Sequence, residues 1–239
     1  MKLLDLTYPS PEENLACDEA LLDACEHSGG EEILRFWEPA EYFVVLGYSN
    51  RGQTEVNLRA CRERNIPLLR RYSGGGTVLQ GPGCLNYAVV LPIRESGPHS
   101  TITGTGTFVM TRHRDAIRQL VPGPVEVRGH SDLALNELKF SGNAQRRRER
   151  SLLFHGTFLL SFNIRMVDQV LRPPSKQPTY RKNRSHGEFL TNLHLPSGAV
   201  KRAIQEAWNV SDVYEDFPLP QMENLVHERY ARPEWNFRM

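Results

Sequence analysis

The chain has 239 residues, enough for one or two domains at ~150 residues each, and can build a core without disulfide or metal staples. Formal net charge is +1, with 39% hydrophobic and 24% charged residues and a mean hydropathy of −0.47. These values exclude a generally nucleic-acid-coating or membrane-surface protein, and no apolar run approaches the ~18–20 residues that span a bilayer.

Ser10-Pro11-Glu12-Glu13 predicts a helix start, with Ser as N-cap, Pro in the first turn and Glu at the capping-box position. Cys17, Leu21, Ala24 and Cys25 then share one face, and Gly29-Gly30 ends the helix. Apolar runs at 33–37 and 42–46 flank Glu38-Pro39-Ala40-Glu41, a strand–turn–strand pattern. A short helix over 53–65 packs Val56, Leu58 and Cys61, and strands follow at 66–71, 77–79 and 86–91. Residues 108–120 have helical period until Pro122-Gly123-Pro124. Three strands are predicted near 125–127, 138–145 and 151–162, the last two forming a hairpin. Helices near 165–171, 199–210 and 221–230 close the chain, with a Pro- and Arg-rich loop over 172–185. No repeat or linker interrupts it, so the reading is one α+β domain over 1–239.

Positive charge is carried by 24 Arg and only five Lys. Arg70-Arg71-Tyr72-Ser73-Gly74-Gly75-Gly76-Thr77-Val78 is the most unusual stretch. Three consecutive glycines either bring bare backbone N–H groups against an anion or make a wide turn with solvated arginines. Lys139, in Leu138-Lys139-Phe140-Ser141-Gly142, is the only Lys between residues 2 and 176. Its ammonium suits a moving phosphate or carbonyl oxygen, or it sits on the solvent face of an edge strand. His155 lies in an apolar run, as a hydrogen-bonded core residue or a catalyst. The run Arg146-Arg147-Arg148-Glu149-Arg150 reads as a solvated hairpin tip, a nucleic-acid contact, or a flap over an anionic ligand.

Several chemistries lack their signature. There is no Walker A loop, dinucleotide fingerprint, HExxH or Gly-x-Ser-x-Gly. Cys17, Cys25, Cys61 and Cys84 form no zinc spacing, and acids at Asp5, Glu12, Glu13, Asp18 and Glu19 argue against a secretory signal. The cysteines therefore read as reduced thiols of a cytoplasmic protein. Cys84 is either a nucleophile or a small buried hydrophobe.

Four blocks resemble the lipoate–protein ligase and octanoyltransferase family, related to biotin–protein ligases. They are residues 14–22 (Asn-Leu-Ala-Cys-Asp-Glu-Ala-Leu-Leu); 70–78 with Gly83-Cys84-Leu85-Asn86-Tyr87; Ser131-Asp132-Leu133 through Lys139-Phe140-Ser141-Gly142-Asn143-Ala144-Gln145; and His155-Gly156-Thr157-Phe158-Leu159. The resemblance implies a mixed sheet flanked by helices, as in class II synthetases. It also implies ATP-dependent activation of lipoate or octanoate to an acyl-adenylate, with magnesium, followed by acyl transfer to a lysine of a lipoyl carrier domain. That carrier would be a glycine-cleavage H-protein or the E2 component of a 2-oxoacid dehydrogenase, with no nucleic-acid or membrane partner.

Carried over by position, Lys139 holds the acyl carbonyl and α-phosphate, Arg70 the acyl-phosphate end, and Asp132 the adenine. Gly74, Gly75 and Gly76 admit the adenylate, His155 lines the acyl slot, and the run 146–150 orders over the nucleotide. Ser73, Thr77, Gln80, Asn86, Ser141, Gly142, Ala144, Gly156 and Thr157 complete the binding set. The chain departs from the family at Gln80-Gly81, where His-Asp is usual, and at Cys84 and Ser131, where Asn is usual. The segment 230–236 resembles the end of the ligase core, so an accessory domain is expected to be absent, either supplied by a separate protein or leaving the first half-reaction weak. The alternatives are an octanoyltransferase working through Cys84 and a non-catalytic binder of carrier domain or acyl-adenylate. The family's known cysteine positions are not met: Leu152 occupies one, and no Cys follows residue 84.

Overall fold

In a computed structural model, residues 1–238 are described, apart from Gly29, Ser175 and the side chain of Ser28. The elements are β1 (Lys2–Asp5), α1 (Pro11–Ser28), β2 (Ile33–Trp37), β3 (Phe43–Leu46), α2 (Gly52–Glu55), α3 (Leu58–Glu63), β4 (Leu68–Arg70), β5 (Val78–Gln80) and β6 (Cys84–Pro92). Next come α4 (Ile102–Arg118), β7 (Val125–Arg128), β8 (Asp132–Leu135), β9 (Leu138–Arg147) and β10 (Ser151–Leu159). The chain closes with α5 (Arg165–Val170), α6 (His186–Phe189), α7 (Ser197–Ala207), β11 (Asp212–Val213), α8 (Leu219–Leu225) with a wider turn at Val226–Tyr230, and α9 (Pro233–Asn236).

The architecture is α+β. A mixed eight-stranded sheet runs β11-β1-β2-β6-β10-β9-β8-β7, parallel only where β1 meets β11 and β2. A second sheet, β4-β3-β5, carries the glycine segment between β4 and β5. One face of the large sheet packs Phe36, Tyr87, Phe154 and Phe158 against α4 and α7. The opposite face packs Ile33, Ala88, Val90 and Leu153 against α1 and the C-terminal helices. A third apolar cluster joins the small sheet to α3 and α5.

Helix α1 starts as predicted: Ser10 N donates to Glu13 Oε2 at 3.0 Å while Glu13 N donates to Ser10 Oγ at 3.2 Å. Gly29, one of the two glycines expected to end it, lies outside the described residues. A single buried face is not what forms. Every residue from Asn14 to Leu22 is buried, because α1 is wedged between β6 and β10 on one side and α8 with its following turn on the other.

The pattern around Glu38-Pro39 is not a hairpin either. β2 joins the large sheet and β3 becomes the centre of the small one. The predicted 53–65 helix is split into α2 and α3 at Val56, which bridges to Leu171. α4 begins at Ile102, where Thr101 caps Gly104 N at 2.9 Å. β8 is additional: it turns into β9 through Asn136 and Glu137, both at positive φ (49° and 65°). That tight turn lacks the Asn-Gly or Asp-Gly pair that announces one in sequence.

Candidate active site

The register of β2, β6, β10 and β9 sorts the predicted site residues by face, since cross-strand partners project to the same side. One row reads Trp37, Asn86, Thr157, Gly142; the next row on that face reads Arg35, Ala88, His155, Ala144. Between them, Phe36, Tyr87, Gly156 and Asn143 point to the opposite face. The first two rows look toward α1 and the glycine segment, and small residues at 88, 142 and 144 leave room there.

Lys139 reaches this face through a β-bulge. Ala134 pairs with Lys139 and Leu133 with Ser141, so Phe140 is an extra residue in β9 and the side chains before it are re-aimed. The ammonium stands over Gly142, where a Cβ would meet Nζ at 2.7 Å. It pairs with Asp132 Oδ1 at 2.8 Å, the two side chains 25% and 14% exposed. Asp132 Oδ2 accepts from Tyr180 Oη at 2.8 Å, which ties the Arg- and Pro-rich loop to the pair. Burial, aided by the Asp132 charge, pushes the Tyr180 phenol up, so it keeps its proton and donates.

Ser73 Oγ and His155 Nε2 are 2.6 Å apart, and His155 Nδ1 is 3.0 Å from Asp18 Oδ2. Asp18 Oδ1 in turn pairs with Arg35 at 2.5 Å, both side chains buried. From the other side, Arg71 Nε donates to Ser73 Oγ at 3.0 Å and Arg71 Nη2 to the carbonyls of Gly74 and Gly76 at 2.6 and 2.8 Å. Burial lowers the Arg71 guanidinium to about 10, which leaves it charged at neutral pH. This chain of bonds fixes the glycine segment on the sheet. Gly75 takes φ +87°, and its Cβ would meet Arg71 Nη2 at 2.8 Å and Ala144 Cβ at 3.3 Å. Gly74 and Gly76 have open space where a Cβ would stand. Close approach of a ligand to bare backbone is possible there.

Near Trp37, Thr157 Oγ1 accepts from Gln80 Nε2 at 2.7 Å and donates to Asn86 Oδ1 at 2.5 Å. Thr77 Oγ1 lies buried with no partner among the described residues. Ser73, Thr77, Gln80, Asn86, Asp132, Lys139, Gly142, Ala144, His155 and Thr157 are thus gathered between the sheet and the glycine segment.

Three predicted residues are not available there. Arg70 is 1% exposed and gives its guanidinium to six carbonyls, of Gly47, Tyr48, Asn50, Trp235, Asn236 and Arg238. It anchors the C-terminal segment, and no donor is left for an acyl phosphate. Ser141 and Gly156 belong to the far face: Ser141 Oγ bonds the Asn143 amide, and a Cβ at 156 would meet Asn143 Oδ1 at 1.6 Å. Tyr87 Oη also donates to that oxygen.

The arginine run is solvated only at its tip, Glu149 and Arg150; the three preceding arginines are packed. Arg146 lies over the Tyr72 ring at 4.2 Å, and Arg147 donates to the carbonyls of His99, Ser100 and Thr101. Arg148 pairs with Asp23, and Arg150 N donates to Glu26. Cys84 sits in the third apolar cluster, fully buried, its thiol pushed up to about 12 by burial. All four cysteines are buried.

Sequence reasoning missed Asp18, Arg35 and Tyr180 as parts of the site. The signal for the first two was present: an acid amid Ala16, Cys17, Ala20 and Leu21, and an Arg in the middle of Ile-Leu-Arg-Phe-Trp. Both are positions where a charge is buried only with a partner.

The sequence matches the lipoyl protein ligase A/B catalytic domain over residues 10–214. A protein of Aeropyrum pernix named as a lipoate-protein ligase A is 34% identical over 246 residues, covering 96% of this chain and 89% of its own. The octanoyltransferase LipM of Carboxydothermus hydrogenoformans is 25% identical over 269 residues, covering 99% of this chain and 98% of its own. A bi-partite lipoate protein ligase of Thermoplasma acidophilum, solved as part of a lipoylation system with its E2 lipoyl domain, superposes with a TM-score of 0.84 at 24% identity, over 99% and 95% of the two chains. A lipoate-protein ligase A bound with ATP gives 0.81 at 26% identity, over 99% and 98%. With the family domain spanning most of its length, this chain belongs to the lipoyl protein ligase A/B catalytic-domain family.

Proposed function

We propose that the protein is an ATP-dependent lipoate–protein ligase. It would activate lipoate or octanoate with ATP to acyl-AMP and pyrophosphate, then pass the acyl group to a lysine of a lipoyl carrier domain (a glycine-cleavage H-protein or an E2 component). The observation that supports this best is the placement of Lys139. A partly open ammonium, steered by a bulge onto the face opposite Gly74 and Gly76, can meet the acyl carbonyl and an α-phosphate oxygen together. Negative charge grows on both in the two transition states, where a fixed cation stabilises them most. Asp132 holds that ammonium in place and, with Tyr180, fits the adenine side. Magnesium would accompany the triphosphate: it is held largely by phosphate oxygens and water, and among the described residues no group of three or more His, Cys, Asp or Glu stands ready for a metal.

The thioester route through Cys84 is disfavoured by that residue's complete burial and raised thiol. The Thermoplasma relative's two-part organisation supports a separate accessory protein as a second partner. Lipoate-dependent exchange of labelled pyrophosphate into ATP tests the first half-reaction. Exchange is expected with lipoate and absent without it; exchange absent under both conditions, with or without a candidate accessory subunit, contradicts the reading.

A further inference from the structure

We infer that Ser73, His155 and Asp18 form a nucleophile–base–acid triad that hydrolyses esters of straight-chain carboxylic acids without ATP, through an acyl-serine intermediate. This activity lies beyond acyl activation and stands on three contacts. Ser73 Oγ is 2.6 Å from His155 Nε2, His155 Nδ1 is 3.0 Å from Asp18 Oδ2, and Asp18 Oδ1 is tied to Arg35. A hydroxyl, an imidazole and a carboxylate joined in that order make a serine nucleophilic, whatever the fold that carries them.

The direction of each bond follows from its neighbours. Burial pushes the Asp18 carboxyl up, but Arg35 and His155 pull it below the ordinary value, so it is ionised and only accepts. His155 Nδ1 therefore carries the proton of that bond, and Nε2 is the nitrogen that faces the serine. Arg71 Nε already donates to Ser73 Oγ at 3.0 Å, so the hydroxyl's own proton points at Nε2. The same guanidinium favours the oxygen as it loses that proton. Ser73 is held at its backbone too, its carbonyl accepting from Tyr48 N at 2.8 Å.

The glycine segment supplies donors for an oxyanion. The N–H groups of Gly74, Gly75 and Gly76 donate to no carbonyl among the described residues. Arg71 Nη2 holds the carbonyls of Gly74 and Gly76, so the N–H groups that follow them in trans peptides point away from the guanidinium. Ser73 is fully covered, whereas the His155 side chain is 12% exposed and Gly75 and Gly76 are exposed. An ester thus reaches Ser73 along the imidazole as the glycine segment gives way. Ala88 and Ala144, both in register with His155, leave room there for an unbranched acyl chain.

In the first step Ser73 Oγ bonds to the ester carbonyl carbon while its proton passes to His155 Nε2. The C–O bond to the alcohol breaks, and that proton leaves with the alcohol. Water then attacks the acyl carbon, His155 takes its proton and returns it to Ser73, and the acid departs. The sum is ester plus water to acid plus alcohol.

The test uses the full chain without ATP. It should hydrolyse p-nitrophenyl octanoate above the buffer rate. An alkyl fluorophosphonate, which loses fluoride to a nucleophilic serine and is not released by water, should add once, on the peptide holding Ser73. S73A and H155Q, checked for native melting, should each lose at least about 100-fold in hydrolysis, and S73A all of the label. A label elsewhere or none, no hydrolysis above buffer, or S73A hydrolysing at the wild-type rate overturns the inference. If S73A fails to fold, the site of the label in the wild type decides alone. Labelled Ser73 and ester hydrolysis without pyrophosphate exchange would remove the ligase reading alone, and exchange without either would remove the triad alone.

Discussion

Replacing Lys139 with Met is expected to lower acyl-adenylate formation by about 10²–10³-fold in kcat, the usual cost of removing one preorganised charge from a developing oxyanion. Melting temperature should change little, because the ammonium is a quarter exposed and its ion pair is with a partly exposed Asp132. Affinity for a carrier domain should persist. A protein that only binds carrier domain or acyl-adenylate would have no turnover to lose, so a folded wild type without activity favours the binder. Pyrophosphate exchange at wild-type rate in K139M would remove Lys139 from the mechanism. G142A approaches the same point from the other side: its added Cβ meets Lys139 Nζ at 2.7 Å, the far end of a flexible side chain. It should shift the ammonium and depress kcat while leaving the fold intact.

The second large effect is on stability. Arg35 and Asp18 form an ion pair with side-chain exposures of 0% and 4%, and Arg35 also donates to the Asn14 carbonyl and side chain at 2.8 Å each. R35M leaves the buried Asp18 carboxylate without its cation and with only its contact to His155 among the partners described, and is expected to cost about 3–5 kcal/mol, read from denaturant unfolding. The double variant D18N/R35M should regain part of that loss, because no unpaired charge remains. Equal unfolding midpoints for R35M and wild type would contradict the assignment.

Acid adds a second reading of the same group. Burial pushes the Asp18 carboxyl up, but Arg35 and His155 pull it below the ordinary carboxylate value. On acidification the unfolded chain therefore takes up this proton first. The contribution is complete above the ordinary carboxylate range and is lost as pH falls through the folded-state value.

Much of the site was legible because its chemistry departs from local expectation. Three consecutive glycines and a lone Lys in an Arg-rich chain both led to the face where the bulge and the open loop meet. The helix start at Ser10 was legible from capping alone. What could not be read was direction. Ser141 and Gly156 sit in the right segments, but strand alternation turns them to the far face, where Gly156 accommodates the Asn143 side chain. The bulge at Phe140 breaks the alternation that would otherwise predict where Lys139 points. Arg70 looked like a ligand contact, because sequence cannot show that carbonyls from two distant segments converge on its guanidinium. β8 was missed because a tight turn built on Asn136-Glu137 carries no glycine. The Arg35–Asp18 pair joins residues seventeen positions apart, and only the packing of α1 against the sheet brings them together.

The most direct test of the central claim is intact mass of a lipoyl carrier domain after incubation with this protein, with the candidate accessory subunit present in both tubes. One tube holds lipoate, ATP and magnesium; the other holds octanoyl-acyl carrier protein and no ATP. The account predicts a lipoyl mass gain on the carrier in the first tube alone, abolished by K139M. A gain only in the second tube would contradict it, and would mean that the acyl group arrives by a thioester route.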